Sequence, residues 1–90
     1  MPAYLLSYST AAEQVKSELE EFMDALGAVP VGDCLYGLEM DLEIEAVRQW
    51  LRDQLRSKDA LIVIELRPHL RQSNQNISRD AAVWLEKMLG

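Results

Sequence analysis

The seven residues Ala60–Leu66 (Ala-Leu-Ile-Val-Ile-Glu-Leu) constrain the fold more than any other part of this 90-residue chain. They are rich in β-branched and aliphatic residues, with apolar side chains in both alternating sets: Leu61 and Val63 in one, Ile62, Ile64 and Leu66 in the other. A half-buried strand alternates apolar with polar, so this pattern predicts a strand buried on both faces. Only Glu65 interrupts it. The rest of the chain must then cover both faces of a sheet.

The remaining elements read off the periodicity. From Tyr4 to Tyr8 the residues alternate, with Tyr4, Leu6 and Tyr8 on one side and Leu5 and Ser7 on the other, the period of a first strand. Thr10 followed by Glu13 matches a capping box, after which Val15, Leu19, Phe22, Met23 and Leu26 recur at helical spacing up to Gly27, a C-terminal cap. The outward face of that helix carries Glu18, Glu20, Glu21 and Asp24 and reads as a solvated acidic surface.

Val29, Val31, Cys34 and Tyr36 flank Gly32-Asp33, a two-residue turn, so residues 28–40 are expected to form a hairpin whose short first arm Pro30 confines to a sheet edge. Asp41 is expected to cap a second helix with Ile44, Val47, Leu51 and Leu55 on its buried stripe, Trp50 alongside, and an end near Ser57. Residues 67–77 are polar and read as a loop, and Ser78 can cap a last helix packing through Ala81, Trp84, Leu85, Met88 and Leu89.

Strand, helix, hairpin, helix, strand and helix in that order predict an α+β, ferredoxin-like βαββαβ sandwich with an antiparallel sheet and a C-terminal helix, one domain over residues 1–90. Both core helices of such a sandwich pack on one sheet face. The apolar strand at residues 60–66 then calls for cover on the other, from the C-terminal helix or from a second copy of the chain, and a homodimer is expected.

Charge and composition exclude several classes. No stretch approaches the ~20 apolar residues that span a bilayer, so no membrane partner is expected. Neither a basic flank nor an apolar core of a secretory signal opens the chain, and the lone Cys34 cannot form an internal disulfide, so a cytoplasmic location is expected. A single histidine, His69, leaves no zinc-site spacing. A net charge of −6 opposes bulk coating of nucleic acid, yet residues 1–45 carry −9 and residues 46–90 carry +3, so a local cationic surface survives.

The opening Tyr4-Leu5-Leu6-Ser7-Tyr8, the stretch Leu35-Tyr36-Gly37-Leu38-Glu39-Met40-Asp41 running into a helix, and the segment from Leu51-Arg52-Asp53-Gln54-Leu55 to Asp59 and the apolar strand resemble the SinR-like proteins. Those are small relatives of the second CRISPR-associated adaptation subunit. Trp84-Leu85 followed by Leu89 is similar to their usual ending, and the resemblance covers most of the chain. It implies a ferredoxin-like homodimer joined through open sheet faces, with metal-dependent nuclease activity on RNA or DNA in some members and an architectural role in others. The nuclease version places an aspartate after the first strand's Tyr, one from each subunit meeting the metal. Here Ser9 follows Tyr8, and a neutral hydroxyl is a poor ligand for Mg²⁺.

The expected function is therefore a non-catalytic homodimeric interaction or architectural module of the bacterial or phage cytoplasm, resembling a degenerate CRISPR-associated adaptation subunit. The alternative is a metal-dependent endonuclease acting on RNA or DNA. A small-molecule sensing domain ranks last, since the four glycines are scattered singly. No catalytic residue, metal or cofactor is assigned; Glu39 and Glu65 are the carboxylates that could replace the missing ligand, and a strand-end or solvent-facing position explains each more simply.

Six residues are candidates for binding nucleic acid or a protein partner. Arg48, Arg52 and Arg56 recur every fourth residue and would share one helical face, although Glu45, Asp53 and Asp59 stand three residues from an arginine and can neutralise it. Arg67, His69 and Arg71, with Arg79 beyond them, bracket the polar loop. Cys34 sits in the apolar set of its strand and reads as a buried thiol, and Trp50 and Trp84 as packing residues.

Overall fold

The computed structural model describes every residue from Met1 to Gly90. Four strands, β1 (Ala3–Ser9), β2 (Val29–Gly32), β3 (Leu35–Glu39) and β4 (Ala60–Leu66), alternate with helices α1 (Glu13–Ala25) and α2 (Ile44–Arg52), and α3 (Arg79–Leu89) follows. The strands form one antiparallel sheet in the order β2-β3-β1-β4. The chain is an α+β fold with four antiparallel strands and three helices.

β1 is central, pairing over five residues with β3 and over seven with β4. Its alternation sorts the layers. Tyr4, Leu6 and Tyr8 are buried with Leu19 and Met23 of α1, Leu38 of β3, and Val47 and Leu51 of α2, the main core. Leu6, Met23, Val47 and Leu51 are wholly shielded, each worth about 1.5–3 kcal/mol of burial. Phe22 and Trp50 join the two helices, their ring centroids 5.3 Å apart. On the opposite face Ala3 packs with Trp84, Leu85 and Leu89 of α3, a second and smaller core.

The start of α1 and both ends of α2 depart from expectation. α1 starts at Glu13 after Ala12, with no side-chain cap; the Thr10 hydroxyl instead accepts the Ala12 N–H at 3.2 Å in a tight local turn. At the other end Gly27 does take the left-handed conformation (φ +74°), and the Ala28 N–H reaches back to the Met23 carbonyl at 3.0 Å, closing the helix as expected. α2 is not capped by Asp41. The Tyr4 hydroxyl donates to the Leu42 carbonyl and holds residue 42 outside the helix, which begins after Glu43.

α2 also ends at Arg52, short of the expected Ser57. The Asp59 carboxylate accepts the Arg56 backbone N–H at 2.9 Å, so that N–H has no need of a helical carbonyl, and the chain turns toward β4. α3 agrees with its reading: the Ser78 hydroxyl accepts the Ala81 N–H at 3.1 Å, and Ala81, Trp84, Leu85 and Leu89 are buried.

Two strand expectations are corrected. The hairpin turns at Asp33-Cys34 rather than Gly32-Asp33, because a register shift between Pro30 and Gly32 displaces the turn by one residue. Cys34 accordingly leaves the strand and adopts φ +54°. More consequentially, β4 is not buried on both faces. It lies at the sheet edge with Leu61 and Val63 packed against the main core, while Ile62 and Ile64 remain 56% and 46% exposed. A Cβ at Gly37 would collide with the Trp84 ring, so the glycine lets α3 sit close over the β2–β3 side, and of the outer set of β4 only Leu66 packs against the α3 cluster.

Candidate interaction surfaces

The structure brings Arg48, Arg52 and Arg56 to one open groove of about 710 Å³, lined also by Gln49, Asp53 and Asp59. They do not form one helical ridge, since α2 stops at Arg52. Two of the three are already engaged. Arg48 pairs with Glu45 at 3.1 Å, and Arg56 holds Asp59 at 3.0 Å through its guanidinium while its backbone N–H binds the same carboxylate. These hydrogen bonds from Arg56 keep the Asp59 carboxyl below its ordinary value, against the opposing effect of desolvation. Asp53 accepts from Gln49 at 3.0 Å instead of pairing with an arginine. Arg52 alone keeps an exposed guanidinium with no acidic partner.

Arg67, His69 and Arg71 lie beyond the other end of β4, so the six candidate residues form two patches rather than one. Arg67 reaches Glu65 at 3.6 Å, an exposed pair of small energetic weight. The backbone N–H of His69, a residue with φ +71°, donates to the Leu89 carbonyl at 2.6 Å and ties the loop to the end of α3. Arg71 is exposed and free of any ion pair.

Glu39 and Glu65 do not converge. Glu39 stands opposite Ala3 and Glu65 opposite Tyr4 in the ladder, which places them on opposite faces of the sheet. Glu39 meets Lys87 of α3 at 3.9 Å, and Glu65 meets Arg67. No cluster of three or more His, Cys, Asp or Glu residues stands together. Ser9, at the exposed end of β1, pairs with Ala60.

The hairpin turn gathers a polar group that the sequence did not point to. Lys16 of α1 bridges to Asp33 at 3.4 Å, beside Cys34 and the stacked rings of Tyr8 and Tyr36, whose centroids are 6.3 Å apart. The Tyr8 hydroxyl is buried without a hydrogen-bond partner, and burial, then the adjoining Tyr36, push its ionisation far upward. Burial, then Asp33, also raises the Cys34 thiol, so it is a poor nucleophile near neutrality. Half-buried in a turn rather than a strand, it differs from the buried thiol expected.

The second apolar set of β4, for which the sequence predicted cover, is left largely open. Ile62 and Ile64 on β4 and Leu70 just beyond it, 47% exposed, surround one edge of the sheet. Ile62 and Ile64 carried a signal in their alternation, but the strand order that leaves them open depends on pairing distant in sequence.

These surfaces belong to an α+β domain with an incompletely covered sheet and no helix long and apolar enough to cross a membrane. Comparison with protein-family models and with curated proteins returned no match.

Proposed function

We propose that this chain is a non-catalytic interaction module, ferredoxin-like in architecture, which pairs with a second copy of itself through β4 and presents surfaces to other macromolecules. One observation carries the reading: β4 is a seven-residue outer strand without Pro, Gly or Lys, and its isoleucines face solvent. An apolar edge of that kind offers a row of free backbone donors and acceptors to an equivalent strand. Antiparallel β4–β4 pairing about a two-fold axis would extend the sheet and shelter Ile62 and Ile64 together.

The strand order β2-β3-β1-β4, with α1 and α2 packed on one face, supports the ferredoxin-like reading and agrees with what the SinR-like resemblance implies. The placement of Glu39 and Glu65 on opposite faces, with Ser9 after Tyr8, supports an architectural rather than hydrolytic role. Arg52 and Arg71, the candidate arginines without acidic partners, are the residues through which the dimer would engage an acidic protein or a nucleic acid. The free thiol of Cys34 suits the reducing cytoplasm proposed as its compartment.

Sedimentation equilibrium tests the pairing. The wild type should sediment as a dimer, and Ile62→Lys should weaken association at least tenfold while leaving the circular dichroism spectrum unchanged, since the residue is exposed. A monomeric wild type ends the proposal. Incubation with labelled RNA and DNA and Mg²⁺ or Mn²⁺ tests the other half: cleavage lost in Glu65→Gln or Glu39→Gln would replace the architectural role with an endonuclease.

A further inference from the structure

The second face of the sheet holds a groove of about 430 Å³, within the roughly 300–1,000 Å³ of small-molecule sites. Leu5, Ile64 and Leu66 form its floor, and Leu85 and Leu89 of α3 form one wall. The loop after β4 supplies the rest of the rim. The two ends of that loop are fixed, by the His69 N–H on the Leu89 carbonyl and by the Ser78 cap of α3, so the rim arches between two anchored points.

Polarity along the rim is one-sided. Although the chain carries fifteen acidic residues, none of them lines the groove, and the single charged residue that does is Arg71. Its guanidinium is spoken for by no carboxylate. Beside it, the Gln72 side-chain carbonyl accepts from the Asn74 amide at 2.8 Å, which leaves the Gln72 NH₂ as its free, donating end. An apolar trough whose rim offers a guanidinium and an amide donor, with no negative charge, complements a ligand with an apolar body and one anionic end.

We propose that this groove binds an amphipathic carboxylate, its hydrocarbon lying on Leu5, Ile64 and Leu66 and its carboxylate paired with Arg71. The site is separate from the dimer proposal except at Ile64, which borders both surfaces. Affinity comes from apolar area removed from water, and selection for a single negative end comes from the guanidinium.

The probes are decanoate, 1-decanol and decylammonium, of one chain length and three charges, titrated below their aggregation concentrations against ¹⁵N-labelled protein. Decanoate should shift the amides of residues 70–75 and of α3 and bind more tightly than decylammonium. Arg71→Gln should weaken decanoate about tenfold, as losing a charge-assisted hydrogen bond implies, and leave decanol unchanged. Leu70→Glu, at an exposed rim position, should weaken both. Equal affinity for decylammonium, or indifference to Arg71→Gln, overturns the proposal. Sedimentation of the same samples separates it from self-association: decanoate that acts only by splitting a dimer would mean that a second copy occupies the groove, and would also overturn it.

Discussion

The two edges of the sheet are built on opposite principles. β2 is four residues long, contains Pro30, breaks register at a bulge, and packs against α3. β4 is seven residues long, runs in unbroken register with β1, and has no helix over its outer isoleucines. Pro30 removes a donor, the bulge twists the ladder, and α3 adds bulk, three separate obstacles to pairing with another chain. β4 has none of them, its one deterrent being Glu65, which Arg67 partly neutralises. An edge left open beside one so thoroughly closed teaches that closure was within this sequence's means and was applied to one side only.

The largest break in that contrast comes from removing the guard. Trp84→Ala deletes the ring that α3 lays on Gly37 and should cost about 3–5 kcal/mol in urea unfolding. The variant should also gain association that survives an added Ile62→Lys change, because the β2 side would then be open too. Association still abolished by Ile62→Lys would show that Pro30 and the bulge suffice without α3.

A smaller effect concerns how β4 is held at its start. Hydrogen bonds from Arg56 hold the Asp59 carboxyl below the ordinary 3.8, so the folded state favours the ionised form. That contribution is complete above the ordinary value and is lost as pH falls through the lowered folded one. Asp59→Asn should therefore destabilise the protein at neutral pH and flatten the loss of stability below about pH 4, followed by thermal unfolding across that range. Parallel acid limbs for the two proteins would remove Asp59 from the account.

The smallest effect is expected at the guarded edge itself. Pro30→Val restores a backbone donor where α3 and the bulge remain, so stability should change by no more than about 0.5 kcal/mol and the sedimenting mass should not change. A rise in mass would assign the guarding to the proline.

Much of this could be read in the residue order. The Ser78 cap, the α3 face of Trp84, Leu85 and Leu89, and the neutralising partners Glu45 and Asp59 each depend on neighbours within four residues in sequence, where periodicity is informative. The misreading of β4 falls where distant chain segments decide. Nothing local distinguishes a strand covered on both faces from an outer strand with one face open, and the position of β4 follows from its pairing with β1 some fifty residues earlier. The end of α2 was missed for a different, local reason: the spacing showed Asp59 as an ion-pair partner of Arg56, but not that its carboxylate would also take the Arg56 backbone N–H and so end the helical pattern. Arg71 was recognisable as a free cation in a loop, but the groove it borders exists only because α3 returns across the sheet.

The order of the elements gives the glycine at position 37 a further meaning. α3 is the last element of the chain, so the four strands can pair before the Trp84 that fills the space over Gly37 has docked. During that interval the sheet has two bare edges and one bare face. Pro30 and the bulge beside it lie within β2 itself, so they protect that edge without waiting for α3 to dock.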